Sequence, residues 1–184
     1  VVTGSSSESR QLSNATRSST NTWLDRHDHS LVDEIYRRAS RIFQVEDSLL
    51  RSPPPSDDGK PVHARYHALA ESLQVVQYQE NQQYTAHHDF VNAPIRHRHQ
   101  PLRFATLLVY LNEDFEGGHT RFPRAVNAHH HDGVSITPKT GKAVLFYNVL
   151  PDGNVDDLSQ HAGELVTSGA KFAANIWLWE PLIH

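Results

Sequence analysis

The chain has 184 residues, 38% of them hydrophobic and 21% charged, with a net charge of −4, a size suited to one domain around one core. That charge gives no footprint of a nucleic-acid or membrane-surface binder. Cysteine is absent and histidine occurs fourteen times, which excludes disulfides, Cys-ligated zinc, iron–sulfur clusters and a thiol nucleophile; any metal must be held by imidazole and carboxylate.

In chain order, no stretch approaches the roughly 18–20 apolar residues that span a bilayer, and Val1-Val2-Thr3-Gly4 does not open a signal peptide. Asn14-Ala15-Thr16 fits an N-glycosylation acceptor, a triplet common by chance. Residues 4–22, rich in Ser, Thr and Asn, suit a loop or edge strand, and Trp23-Leu24 is the first apolar anchor. From Ser30 to Leu50 the spacing of Leu31, Ile35, Ala39, Ile42 and Phe43 predicts an amphipathic helix with those residues as its buried stripe. Arg51 to Pro61, with three consecutive prolines, reads as an exposed insertion within a single domain spanning 1–184.

Beyond Ser72 the pattern becomes short, strand-like runs: Leu73–Tyr78, Phe104–Leu111, Ala143–Tyr147 and Lys171–Trp179, rich in β-branched and aromatic residues. Turn residues separate them, as at Glu116-Gly117-Gly118, Lys139-Thr140-Gly141, Pro151-Asp152-Gly153 and Ser168-Gly169. The fold class this predicts is α+β, mainly β, with a β-sandwich or jelly-roll core over 73–179 and supporting N-terminal helices.

Within Tyr84–Phe90, His87 and Asp89 stand two apart, so on a strand they share a face while His88 points away. One imidazole and one carboxylate are two thirds of a facial triad on Fe(II); His161 is the best candidate for the third ligand. The neighbourhood adds Tyr78-Gln79-Glu80-Asn81-Gln82-Gln83-Tyr84, the run Arg103–Asn112, Glu116–Pro123, Pro138–Phe146, and His161 followed by Gly169-Ala170-Lys171.

That ordered series resembles the prolyl 4-hydroxylase branch of the Fe(II)/2-oxoglutarate dioxygenases, firmly from Leu73 to Trp179 and more loosely over Arg17–Leu50. The resemblance implies a double-stranded β-helix with Fe(II) on His87, Asp89 and His161, and Lys171 paired with the C5 carboxylate of 2-oxoglutarate, assisted by the hydroxyls of Tyr78 and Thr106. Tyr84 and Trp177 would line the mouth and hold a substrate ring. The implied reaction uses dioxygen, with ascorbate as reductant, to hydroxylate peptidyl proline at C4 while 2-oxoglutarate becomes succinate. The implied partner is a peptide or protein containing proline. A hydroxylase for a free amino acid, a small metabolite or another side chain is the alternative, and a non-catalytic metal-binding barrel a third reading. The compartment stays open between the secretory pathway and elsewhere.

Several positions depart from the family pattern. Asn81 stands for a glycine and suits a turn of positive φ; His119 replaces an acid; Ala162–Val166 lacks a Cys-Pro pair; and Trp179 stands where many relatives have His, which bears on substrate identity. The basic run Arg96–His99 reads as a solvated loop, apart from Arg103 in the strand motif, and His129–His131 reads as surface.

Overall fold

Eleven strands and one α-helix make up the described residues, 17–51, 69–90, 102–129 and 131–180, of the computed structural model. In order they are β1 (Thr20–Leu24), α1 (Ser30–Phe43), a 3-10 turn (Asp47–Leu50), β2 (Leu73–Tyr78), β3 (Tyr84–His87), β4 (Arg103–Tyr110), β5 (Phe115–Gly117), β6 (Thr120–Phe122), β7 (Val134–Ile136) and β8 (Ala143–Tyr147). A second 3-10 turn (Asp157–Ser159), β9 (His161–Gly163), β10 (Val166–Gly169) and β11 (Lys171–Trp179) follow. The sequon at Asn14, most of the proline-rich segment, the run Arg96–His99 and His130 lie outside the described residues.

The strands form an antiparallel five-stranded sheet, β1-β2-β11-β4-β8, a four-stranded sheet, β3-β9-β6-β7, and a β10-β5 pair. This is the expected jelly-roll, mainly β with one supporting helix. The five-stranded sheet separates two environments because side chains alternate across it. On β11, Ala174, Ile176 and Leu178 pack with Val32, Tyr36 and Ala39 of α1 in the main core. Lys171, Ala173, Asn175 and Trp177 of the same strand line a cavity instead. Ile176 is completely buried, and burying such a side chain contributes about 1.5–3 kcal/mol.

The helix corrects two expectations. It ends at Phe43, because Gln44 takes a left-handed cap conformation (φ 57) and Glu46 to Leu50 begin anew as a 3-10 turn. Its buried stripe is Val32, Tyr36, Ala39 and Ser40, with Ile35 and Phe43 partly covered, whereas Leu31 and Ile42 face outward. Burying Tyr36 instead places its hydroxyl on the Glu71 carbonyl, a contact that a stripe one position earlier would forgo. Trp23 is also not an internal anchor; it is half exposed on edge strand β1 and lines the cavity rim.

Candidate metal and cosubstrate site

Each sheet contributes a cross-strand pair, and the two pairs meet at one carboxylate. In the smaller sheet His87 of β3 lies directly opposite His161 of β9, with ring centroids 4.3 Å apart. In the larger sheet Thr106 of β4 lies opposite Trp177 of β11. Asp89 sits in the bend just after β3, and its Oδ2 accepts from Thr106 Oγ1 at 2.8 Å and from Trp177 Nε1 at 2.9 Å.

Ligand atoms of His87, Asp89 and His161 all lie within 4.8 Å of one another. Each histidine turns Nδ1 to the backbone carbonyl two residues earlier, Thr85 at 2.8 Å and Ser159 at 3.0 Å. A ring nitrogen facing a carbonyl must carry the proton, so Nε2 presents its lone pair inward in both. The Nε2 atoms stand 3.6 Å from Asp89 Oδ1 for His87 and 3.7 Å from Oδ2 for His161. His88, just past the end of β3, places Nε2 3.4 Å from Asp157 Oδ1 and borders the same cavity. Phe146 and Phe122 pack against the His161 ring and shield it.

The electrostatics suit a cation. Burial lowers His87 to about 4, reinforced by neighbouring His161 and opposed by Asp89. For Asp89, burial alone would raise the carboxyl. His161, His87 and the bonds from Trp177 and Thr106 outweigh it and hold Asp89 below its ordinary value. Two imidazoles and one carboxylate, converging with each Nδ1 already engaged by a backbone carbonyl, are the donor set for Fe(II) with open positions.

Across the same cavity, of about 480 Å³, lies Lys171. Its Nζ is buried and donates to the Gly118 carbonyl at 2.6 Å; among the described residues no carboxylate pairs with it. Burial lowers it to about 8, with Glu164 opposing weakly at longer range. An ammonium has three donors, so a buried one with a single carbonyl partner has capacity for an anionic guest. The Tyr78 and Tyr110 rings lie 5.3 Å and 5.5 Å from Nζ.

The structure brings His87, Asp89 and His161 together, with Lys171 on the wall of the same cavity. Thr106 does not turn its hydroxyl toward Lys171; that hydroxyl is taken by Asp89 and by Asn148 Nδ2 at 3.0 Å. Trp177 lines the cavity with its ring already engaged, since it is buried, bonded to Asp89 and covered by the Arg103 guanidinium at 3.8 Å. Tyr84 does line the cavity, stacked on His87 at 3.6 Å. Tyr78 engages Ser19 through its hydroxyl.

Sequence reasoning missed Tyr110 and Thr120, whose hydroxyls are joined at 2.7 Å near Lys171, and it missed Asn148 and the Glu71–Arg103 ion pair. Tyr110 ends a run that did read as a strand, and its sharing a face with Thr106 and Leu108 was the available signal. Nothing local could have marked Asn148.

A jelly-roll with a two-histidine, one-carboxylate centre and a buried lysine in the same cavity defines a non-haem iron oxygenase type of site. Residues 73–179 match the 2OG-Fe(II) oxygenase superfamily, and the chain belongs to that family. It is 31% identical to probable prolyl 4-hydroxylase 8 of Arabidopsis thaliana over 189 aligned positions, covering 96% of this chain and 57% of that protein. It is 33% identical to a putative prolyl 4-hydroxylase of Acanthamoeba polyphaga mimivirus, covering 89% and 59%. The chain thus spans a little over half the length of the curated relatives it matches. Among solved structures, the 2OG complex of the viral collagen prolyl hydroxylase from Paramecium Bursaria Chlorella virus-1 superposes with a TM-score of 0.67 at 26% identity, covering 89% of this chain and 80% of that one.

Proposed function

We propose that this chain is the catalytic unit of an Fe(II)- and 2-oxoglutarate-dependent hydroxylase acting on proline, at C4, in a peptide or protein. The observation that carries the reading is the convergence of His87, Asp89 and His161 in the cavity that also holds the carboxylate-free ammonium of Lys171. The relatives named prolyl 4-hydroxylase support proline as the target. When bound, Fe(II) with 2-oxoglutarate and dioxygen supplies C–H hydroxylation coupled to formation of succinate and carbon dioxide.

The chain's own residues bind, orient and shield. His87 and His161 offer Nε2, and Asp89 offers the oxygen not saturated by Thr106 and Trp177. Lys171 binds the far carboxylate of 2-oxoglutarate, with the Tyr78 and Tyr110 rings beside its ammonium and Thr120, bonded to Tyr110, on the cavity wall. Phe122 and Phe146 exclude water from His161. Tyr84, at the rim, is the residue placed to meet a substrate ring.

The test is incubation of the protein with Fe(II), 2-oxoglutarate, ascorbate, oxygen and a library of proline-rich peptides, read by mass spectrometry. A gain of one oxygen on proline supports the reading; turnover of 2-oxoglutarate with no modified proline contradicts the substrate assignment.

A further inference from the structure

Asn148 is fully buried, and its Oδ1 is the one buried side-chain polar atom among the described residues without a hydrogen-bond partner. Its Nδ2 donates to Thr106 Oγ1 at 3.0 Å, and that hydroxyl donates to Asp89 Oδ2 at 2.8 Å. The directions are forced by chemistry. An ionised carboxylate only accepts, so Thr106 must give Asp89 its single proton. The threonine oxygen can then only accept from its other neighbour, and Asn148 must present its NH2 group rather than its carbonyl.

Holding that orientation leaves Oδ1 bare in the interior, an unpaired buried acceptor that the fold must tolerate. The backbone fixes the residue: its N–H donates to Phe104 O at 2.8 Å, and its carbonyl accepts from Asp156 N–H at 2.9 Å. Asp156 in turn caps the 3-10 turn that leads into His161.

We propose that Asn148 is a positioning residue for the metal site. By fixing the Thr106 proton on Asp89 Oδ2, it keeps that oxygen saturated together with Trp177, and leaves Oδ1 as the oxygen offered to the ion. This rests on the reading of His87, Asp89 and His161 as ligands, and the experiment separates the two. Fe(II) affinity is measured anaerobically, without 2-oxoglutarate, for the wild type, Asn148→Leu, Thr106→Val and the double variant.

The expected result is a roughly tenfold to hundredfold loss for Asn148→Leu, in line with other residues that support metal ligands. In the Thr106→Val background the same change adds almost nothing, because its effect passes through the hydroxyl. In the metal-free protein the indole N–H resonance of Trp177, which shares Asp89 Oδ2, shifts in Asn148→Leu. If that variant does not fold, the smaller Asn148→Ala removes the same donor and gives the same readouts. Wild-type affinity in Asn148→Leu, or losses that simply add in the double variant, overturns the positioning role. A wild type that binds no Fe(II) overturns the ligand reading beneath it.

Discussion

Trp177 donates its indole N–H to Asp89 Oδ2 at 2.9 Å across 88 positions of sequence, while Arg103, clamped by Glu71, covers the same ring at 3.8 Å. The acid of the metal site is therefore aimed by the far sheet rather than by its own strand.

Replacing Trp177 by Phe keeps a ring beneath Arg103 and removes only the donor. Stability should fall by about 1.5–3 kcal/mol, the contribution of a hydrogen bond to a charged group. Fe(II) affinity should fall with it. Denaturant unfolding and metal titration check both, and an unchanged affinity would show that Asp89 does not depend on the indole.

The lysine gives a pH dependence. Burial places free Lys171 at about 8, and a bound carboxylate favours the charged amine, raising it. Affinity for 2-oxoglutarate should be full below about 8 and decline as pH rises through that value, with proton uptake on binding in that region. Calorimetry in buffers of different ionisation enthalpy reads the uptake. Lys171→Met should bind weakly at every pH and show no such dependence.

Gly118 tests how closely that lysine is fitted. Its φ is +60, and an added Cβ would stand 3.1 Å from Lys171 Cδ and 3.0 Å from the Phe115 ring. Gly118→Ala should lower stability by about 1–2 kcal/mol through its left-handed backbone. It should also weaken 2-oxoglutarate binding by displacing Lys171, while Fe(II) affinity stays at the wild-type value.

Asn81 has φ 65, and its N–H donates to Val166 O at 2.8 Å. Asn81→Val should cost about 1–2 kcal/mol, whereas glycine is tolerated there. Thermal unfolding separates the two; equal stability of both variants would mean that the turn has relaxed.

Much of the larger sheet was legible because its strands are long and rich in β-branched and aromatic residues: Leu73–Tyr78, Ala143–Tyr147 and Lys171–Trp179 match their expected bounds. The smaller sheet was not. Its strands run three or four residues, too few to show a period of two, and in the separate β10-β5 pair Glu116-Gly117 reads as a turn although it lies in β5. The positive φ suited to Asn81 was readable, since few side chains tolerate it. In the site, His87 and Asp89 stood out by type and spacing, and Lys171 through the family resemblance. The partners of Asp89 did not, because Thr106 and Trp177 reach it through cross-strand register, which the local sequence does not encode.

The most direct test of the central claim is an anaerobic titration of Fe(II) and 2-oxoglutarate into the wild type, His161→Ala and Lys171→Ala, followed by the visible charge-transfer absorption of an Fe(II)–2-oxo-acid chelate. The wild type should develop the band, His161→Ala should not, and Lys171→Ala should need far more 2-oxoglutarate to reach it. A wild type without the band, or a His161→Ala variant that develops it unchanged, would contradict the account.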